Sequence, residues 1–283
     1  EVEEGQLFGY LGANGSGKTT TIKILMSLLH ATQGNAKIFG KSVQDPQSRV
    51  EVGFLPENPY FYEYLTPLES LRFYGKLQNV SSEEIQSRGE KLLEMTQLTH
   101  AKNTRLGDFS KGMRQRLGLS QALINDPKLL VLDEPLSGLD PMGRKLVKDL
   151  ILEQRRKGKT VFFSSHILSD VEEMCDHIAI LVKGELKQRG TVEDLVSPAY
   201  RKYNLHLIEI NEAIQKLVTD RTSEYRLIGN EIRCEIPATE DLDDFLQKIQ
   251  AQGGKIRALV PEKETLEEYF VRISSSASED SKS

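Results

Sequence analysis

The segment Gly12-Ala13-Asn14-Gly15-Ser16-Gly17-Lys18-Thr19 constrains this chain more than any other. An apolar run from Gln6 to Leu11 leads into it, and a helical pattern from Gly17 to Leu29 leads out of it. The spacing is that of a P-loop, G-x-x-x-x-G-K-[ST], set where such a loop works, between a strand and a helix. Its glycines let the backbone curl, so that N–H groups from Asn14 through Gly15, Ser16, Gly17, Lys18 and Thr19 to Thr20 point inward, and the helix adds its positive N-terminal partial charge. That makes a cradle for phosphate. The motif assigns the Lys18 ammonium to the β- and γ-phosphates of a nucleotide and the Thr19 hydroxyl to Mg²⁺. The alternative, a glycine-rich turn that caps a helix, is set aside because the full motif stands in its proper context.

From the start to about Val196, short apolar runs alternate with helical patterns. Leu129 to Leu132 precedes a helix from Pro141 to Lys157, and Thr160 to Ser164 precedes one from Ile167 to Cys175. Such alternation predicts an α/β fold, a parallel sheet flanked by helices. Between Pro67 and Ala122 the pattern is almost wholly helical, which predicts a helical subdomain over about 65–125 inside a first domain spanning 1–197. A boundary is expected near Ser197 and Pro198. Beyond it, a strand from Leu205 to Ile210, a helix from Glu212 to Thr219, a hairpin of Glu224 to Ile228 with Glu231 to Ile236, a helix from Asp241 to Gln250, a strand from Lys255 to Val260 and a helix from Glu264 to Ile273 follow in turn. The order βαββαβ predicts a small α+β ferredoxin-like domain over 203–273. The Ser-rich, charged segment 274–283 reads as disordered.

Composition narrows the partners. A net charge of -5 without a basic stripe argues against nucleic acid. Cys175 and Cys234 stand far apart with no Cys/His cluster, which disfavours a disulfide framework or a zinc site and fits a reducing cytoplasm. The longest apolar runs are far shorter than the roughly 20 residues a bilayer-crossing helix needs.

The run Leu129-Leu130-Val131-Leu132 ends in Asp133-Glu134, the form of a Walker B strand. It delivers Asp133 to the ligand-binding edge of the sheet, where its carboxylate can hold Mg²⁺ through water, and Glu134 can orient or deprotonate an attacking water. Phe109-Ser110-Lys111-Gly112-Met113 introduces a helix that Ser110 caps; Ser137-Gly138-Leu139-Asp140-Pro141 follows Walker B, with Asp140 as N-cap; and Ser164-Ser165-His166 ends the next strand. In this order the motifs resemble those of the ATP-binding subunits of ABC transporters, from the first residue to about Val196. The resemblance implies a P-loop NTPase fold that binds and hydrolyses MgATP, and a homodimer that sandwiches two nucleotides. Ser110, Gly112 and Met113 would contact the γ-phosphate of ATP held by the second copy, Asp140 would bridge the halves, and His166 would contact the γ-phosphate of its own site.

Two motifs depart from the family pattern. The signature, usually Leu-Ser-Gly-Gly-Gln, places Lys111 and Met113 where Gly and Gln are usual, and Glu57 stands where the family's glutamine would be. Glu57 can still ligate Mg²⁺ but carries a negative charge towards phosphate. The cluster Tyr60, Phe61, Tyr62 and Tyr64 reads equally as packing between subdomain and sheet or as a groove for a membrane permease subunit. The C-terminal domain is similar to the extension in ABC-2 type exporter subunits, which implies a bacterial or archaeal chain at the cytoplasmic face of the membrane. A soluble ABC ATPase not linked to transport is the alternative; a non-hydrolysing ATP sensor is opposed by Glu134 and His166. The natural N-terminus, whose strand carries an aromatic residue for adenine in this family, is expected to lie outside the chain.

Overall fold

The computed structural model describes residues 1–195, 200–237, 242–263 and 265–270. It divides into two compact units, the first from Glu1 to Val192 and the second beginning at Glu193. In chain order the first holds β1 (Leu7–Leu11), α1 (Lys18–Leu25), the short strands β2 (Lys37–Ile38) and β3 (Lys41–Ser42), β4 (Val52–Leu55), α2 (Pro67–Leu77), α3 (Ser82–Met95), α4 (Lys111–Leu123), β5 (Leu129–Leu132), α5 (Pro141–Arg156), β6 (Thr160–Ser165), α6 (Leu168–Met174), β7 (His177–Val182) and β8 (Glu185–Thr191). Six strands form one sheet in the order β4-β5-β6-β1-β7-β8. All its pairs are parallel except β7 with β8, a hairpin through Lys183 and Gly184 that the motif reading did not foresee.

The parallel strands are apolar because both faces are covered. On one face Phe8, Val52, Val131, Phe162 and Ala179 meet Ile22 and Met26 at and after α1, with Phe8 and Phe162 stacked 5.7 Å apart. Full burial of side chains of this size stabilises the fold by roughly 1.5–3 kcal/mol each. Helix α1 ends at Leu25, short of the expected Leu29. Ser27 takes a left-handed φ of 57, and the Leu28 N–H reaches back to the Lys23 carbonyl at 2.8 Å, so a Schellman-type closure stops the helix although no glycine marks the place.

The helical subdomain is α2, α3 and α4, as its periodicity predicts. Capping boxes begin the first two: Glu69 Oε2 accepts the Thr66 N–H at 2.8 Å, and Ser81 Oγ accepts the Glu84 N–H at 3.2 Å. Leu71, Ile85, Leu92, Leu93, Leu117 and Ile124 fill the subdomain's core.

A short helix (α7, Val192–Leu195) precedes the second unit's folded body of β9 (Tyr200–Ile208), α8 (Glu212–Thr219), β10 (Tyr225–Ile228), β11 (Glu231–Pro237), α9 (Leu242–Ala251) and β12 (Lys255–Lys263). The strands pair antiparallel in the order β10-β11-β9-β12, the split βαβ arrangement of the ferredoxin-like fold. Strand β9 begins earlier than expected and stops at Ile208, because Glu209 turns the chain at φ 57 and Asn211 caps α8. Leu205, Leu207, Ile232, Cys234 and Ile236 bury against Ile214, Val218, Phe245 and Ile249 of the helices. Of the expected last helix, 266–270 is helical. Its C-terminal end, the boundary at Ser197 and Pro198, and the tail 274–283 lie outside the described residues.

Candidate functional site

Sheet order decides which motifs meet. Strand β6 lies between β5 and β1, so the loops after all three open at the same edge. Between β1 and α1 the P-loop winds through Gly17 at φ 103, a left-handed position that favours glycine. A Cβ at Gly12 would stand 2.6 Å from the Leu181 carbonyl, so this backbone approach excludes a side chain. Lys18 is buried; its Nζ donates to the carbonyls of Gly12 at 2.7 Å and Ala13 at 3.3 Å, and faces Glu134 Oε1 at 3.3 Å. Ser16 turns inward beneath Gly12, with its buried Oγ unbonded.

Beyond Leu132 the chain leaves β5 through two buried carboxylates. Asp133 donates its N–H to the Leu55 carbonyl at 2.8 Å, and its Oδ1 accepts the Ser164 hydroxyl at 2.7 Å. Glu134 takes a left-handed φ of 48, and its Oε2 accepts a hydrogen bond from His166 Nδ1 at 2.8 Å in the tautomer that protonates that nitrogen. Glu134 is thus a buried carboxylate between an ammonium and an imidazole. A cavity of about 500 Å³ opens here, lined by Asn14, Gly15, Gly17, Lys18, Thr19, Thr20, Glu57, Glu134, Ser137 and His166. An anion lying in it meets backbone N–H groups, a helix N-terminus and Lys18 on one side and the Glu134 carboxylate on the other.

The model of the ABC transporter family matches residues 1–137. The bacitracin transport ATP-binding protein BcrA of Bacillus licheniformis is 36% identical over 216 residues, covering 75% of this chain and 70% of that protein. The chain belongs to the ABC transporter family. An uncharacterized ABC transporter ATP-binding protein of Synechocystis sp. is 47% identical over 197 residues, 69% of this chain; the chain spans only 56% of that relative's length. Among solved structures, an ATP-binding subunit of an ABC transporter aligns with a TM-score of 0.64 at 34% identity over 69% of this chain and 82% of that one. A dimeric ATP-binding cassette, MJ0796, in a post-hydrolysis state bound to ADP and Pi shares the fold with a TM-score of 0.63 at 24% identity, over 68% of this chain and 88% of that one.

Within this ABC ATP-binding domain the remaining motifs fall into two groups. Glu57, Lys18, Thr19, Glu134 and His166 share the cavity, whereas Ser16, Asp133, Ser110, Gly112, Met113 and Asp140 do not line it. Ser110 caps α4, its Oγ accepting the Met113 N–H at 3.3 Å, and Asp140 Oδ1 caps α5 by accepting the Gly143 N–H at 3.1 Å. The two capped turns touch, because Gly112 packs near Leu139 and the stem of Lys111 lies over Gly138. The aromatic cluster divides: Phe61 is buried at 4% exposure, while Tyr60, Tyr62 and Tyr64 are exposed at 79%, 41% and 69%. Tyr62 holds an edge-to-face contact with Phe73 of α2, so the exposed rings form a braced patch. Two site residues stand in motifs that assigned them no role, Ser137 in the cavity wall and Ser164 behind the carboxylates. The abrupt change from Phe162-Phe163 to Ser164 at the end of β6 was the available signal.

Proposed function

We propose that this chain is the ATP-hydrolysing subunit of an ABC-2 type membrane exporter, working as a homodimer that holds two MgATP at its interface on the cytoplasmic face. The observation that carries the reading is the convergence of Lys18, Glu134 and His166 on one cavity at the end of the P-loop. Backbone N–H groups from Asn14 to Thr20 and the Lys18 ammonium bind the phosphates; Lys18 then exchanges its contact with Glu134 for one with the nucleotide, which frees that carboxylate. Glu134 orients the attacking water and takes its proton, and His166, bonded to Glu134, holds the carboxylate's direction towards the γ-phosphate.

The cavity wall carries the oxygen donors Thr19 and Glu57, which suits Mg²⁺. Among the described residues no three carboxylate, His or Cys groups cluster as a cage, which fits an ion held chiefly by phosphate oxygens and water. Thr19 and Glu57 would hold it directly and Asp133 through water. When bound, Mg²⁺ neutralises phosphate charge.

Ser110, Gly112, Met113 and Asp140 lie away from the chain's own cavity on capped turns, as groups that serve the second copy's nucleotide would. The dimeric state of the MJ0796 cassette and the transport role in the name of the bacitracin relative support the partner assignments. Among the described residues no helix is long and apolar enough to cross a membrane. Permease subunits would form the path, docking on the exposed Tyr60, Tyr62 and Tyr64. Glu134→Gln tests the reading. Phosphate release should fall by about 10² or more, ATP binding should persist, and light scattering should show an ATP-dependent dimer that Lys18→Ala does not form. Turnover at the parental rate in Glu134→Gln would remove the assigned base.

A further inference from the structure

We infer that Ser164 is a positioning residue that locks the metal carboxylate Asp133 and the base Glu134 into one register through a single hydroxyl. The inference rests on the hydrolytic reading above and adds a residue to it. Strand β6 pairs with β5 so that Phe163 stands opposite Leu132, which brings Ser164 beside Asp133 at the next step. Ser164 is fully buried. Its Oγ donates to Asp133 Oδ1 at 2.7 Å and accepts the Glu134 N–H at 2.9 Å.

A hydroxyl carries one proton and two lone pairs, and an ionised carboxylate can only accept. The hydroxyl therefore donates its proton to the bond with Asp133 Oδ1 and accepts the Glu134 N–H on a lone pair, so both bonds run in fixed directions. The amide needs that partner. The β5–β6 ladder ends at Leu132, and Glu134 sits at φ 48, a conformation that persists only where the surroundings hold it. The adjacent Ser165 has a different task. Its hydroxyl donates to the Ile167 carbonyl at 3.2 Å and accepts the Ile167 N–H at 3.0 Å, shaping the turn that carries His166 to Glu134. An alanine at 164 would leave Asp133 Oδ1 and the Glu134 N–H without this partner in a buried site, and both carboxylates would lose their common anchor.

The test compares the parent with Ser164→Ala and Ser164→Cys, the latter keeping the volume with a weaker donor. In the nucleotide-free chain, hydrogen exchange at the Glu134 amide should rise about tenfold or more in Ser164→Ala. Half-saturating Mg²⁺, read both by calorimetry of ATP binding and by turnover, should rise by about 10-fold or more, in the range seen when residues that orient metal ligands are removed. The kcat should fall by a similar factor while KM for ATP changes less than about twofold, with Ser164→Cys intermediate in each readout. Unchanged exchange at Glu134, or a parental Mg²⁺ requirement and kcat, would overturn the assignment. A parent that binds ATP but releases no phosphate would defeat the hydrolytic reading instead, and exchange with the Mg²⁺ dependence of binding would still decide Ser164. Should Ser164→Ala not fold, the same measurements on Ser164→Cys decide it.

Discussion

At the scale of residues, the site is a set of charges held against their own preferences. Glu134 occupies left-handed backbone, a conformation that costs a side-chain-bearing residue about 1–3 kcal/mol, and its carboxylate is buried between Lys18 and His166. Glu57 faces the same cavity and adds negative charge where phosphate must bind. At water-like screening such a repulsion is on the order of 0.7 kcal/mol, about threefold in affinity. Glu57→Gln, whose amide oxygen can still ligate the metal, should therefore remain active and bind MgATP about threefold more tightly by calorimetry; a steep rise in its Mg²⁺ requirement would show instead that the metal needs the carboxylate's charge. Gly12→Ala should abolish the ATP-dependent rise in melting temperature. A Cβ there would crowd the Leu181 carbonyl, and a backbone atom cannot turn aside as a side chain can.

Among the elements, the loop before α2 shows how one short stretch serves core and surface together. Phe61 is buried and packs against Tyr74, whereas Tyr60 and Tyr64 project outward and Tyr62 braces the patch on Phe73. Phe61→Ala should cost roughly 3–5 kcal/mol in a chemical melt. A double substitution of Tyr60 and Tyr64 by Ala should leave stability within about 0.5 kcal/mol, the usual range for exposed positions. If the patch receives the permease, that variant keeps ATP hydrolysis and loses capture of the permease subunit; parental capture would return the tyrosines to a bystander role. Helix α3 carries a pH signature. Hydrogen bonds from the Ser81 hydroxyl and then the Ser81 N–H hold the Glu84 carboxyl below its ordinary value of 4.5, so its folded pKa is depressed. Its contribution to stability is present above the unfolded pKa and is lost as pH falls through the folded one. The parent's melting temperature should thus exceed that of Glu84→Gln near neutral pH, and the difference should shrink as pH drops below 4.5.

On the scale of the whole molecule, every residue lining the nucleotide cavity lies between Asn14 and His166, inside the first unit, and the second has its own apolar core. A fragment of residues 1–199 is therefore expected to fold and to show the same ATP-dependent thermal shift as the full chain; loss of that shift would mean that the second unit contributes to the site. The local motifs were legible because each is a short-range device. Glycine spacing makes the P-loop, Ser110 and Asp140 cap the helices they precede, and apolar runs bounded by polar residues mark β1, β5 and β6. The βαββαβ order of the second unit was readable for the same reason. What neighbours cannot specify is which distant strands lie side by side. The insertion of β6 between β5 and β1 brings Lys18 to Glu134 and Ser164 to Asp133, partners more than 30 residues apart. Long-range packing likewise separates Phe61 from its exposed neighbours. The sequence by itself determined the chemistry carried to the sheet edge, because motifs are set by residue type and spacing; the tertiary structure alone decided which groups touch there, because register and sheet order follow from burying both faces of the whole sheet at once.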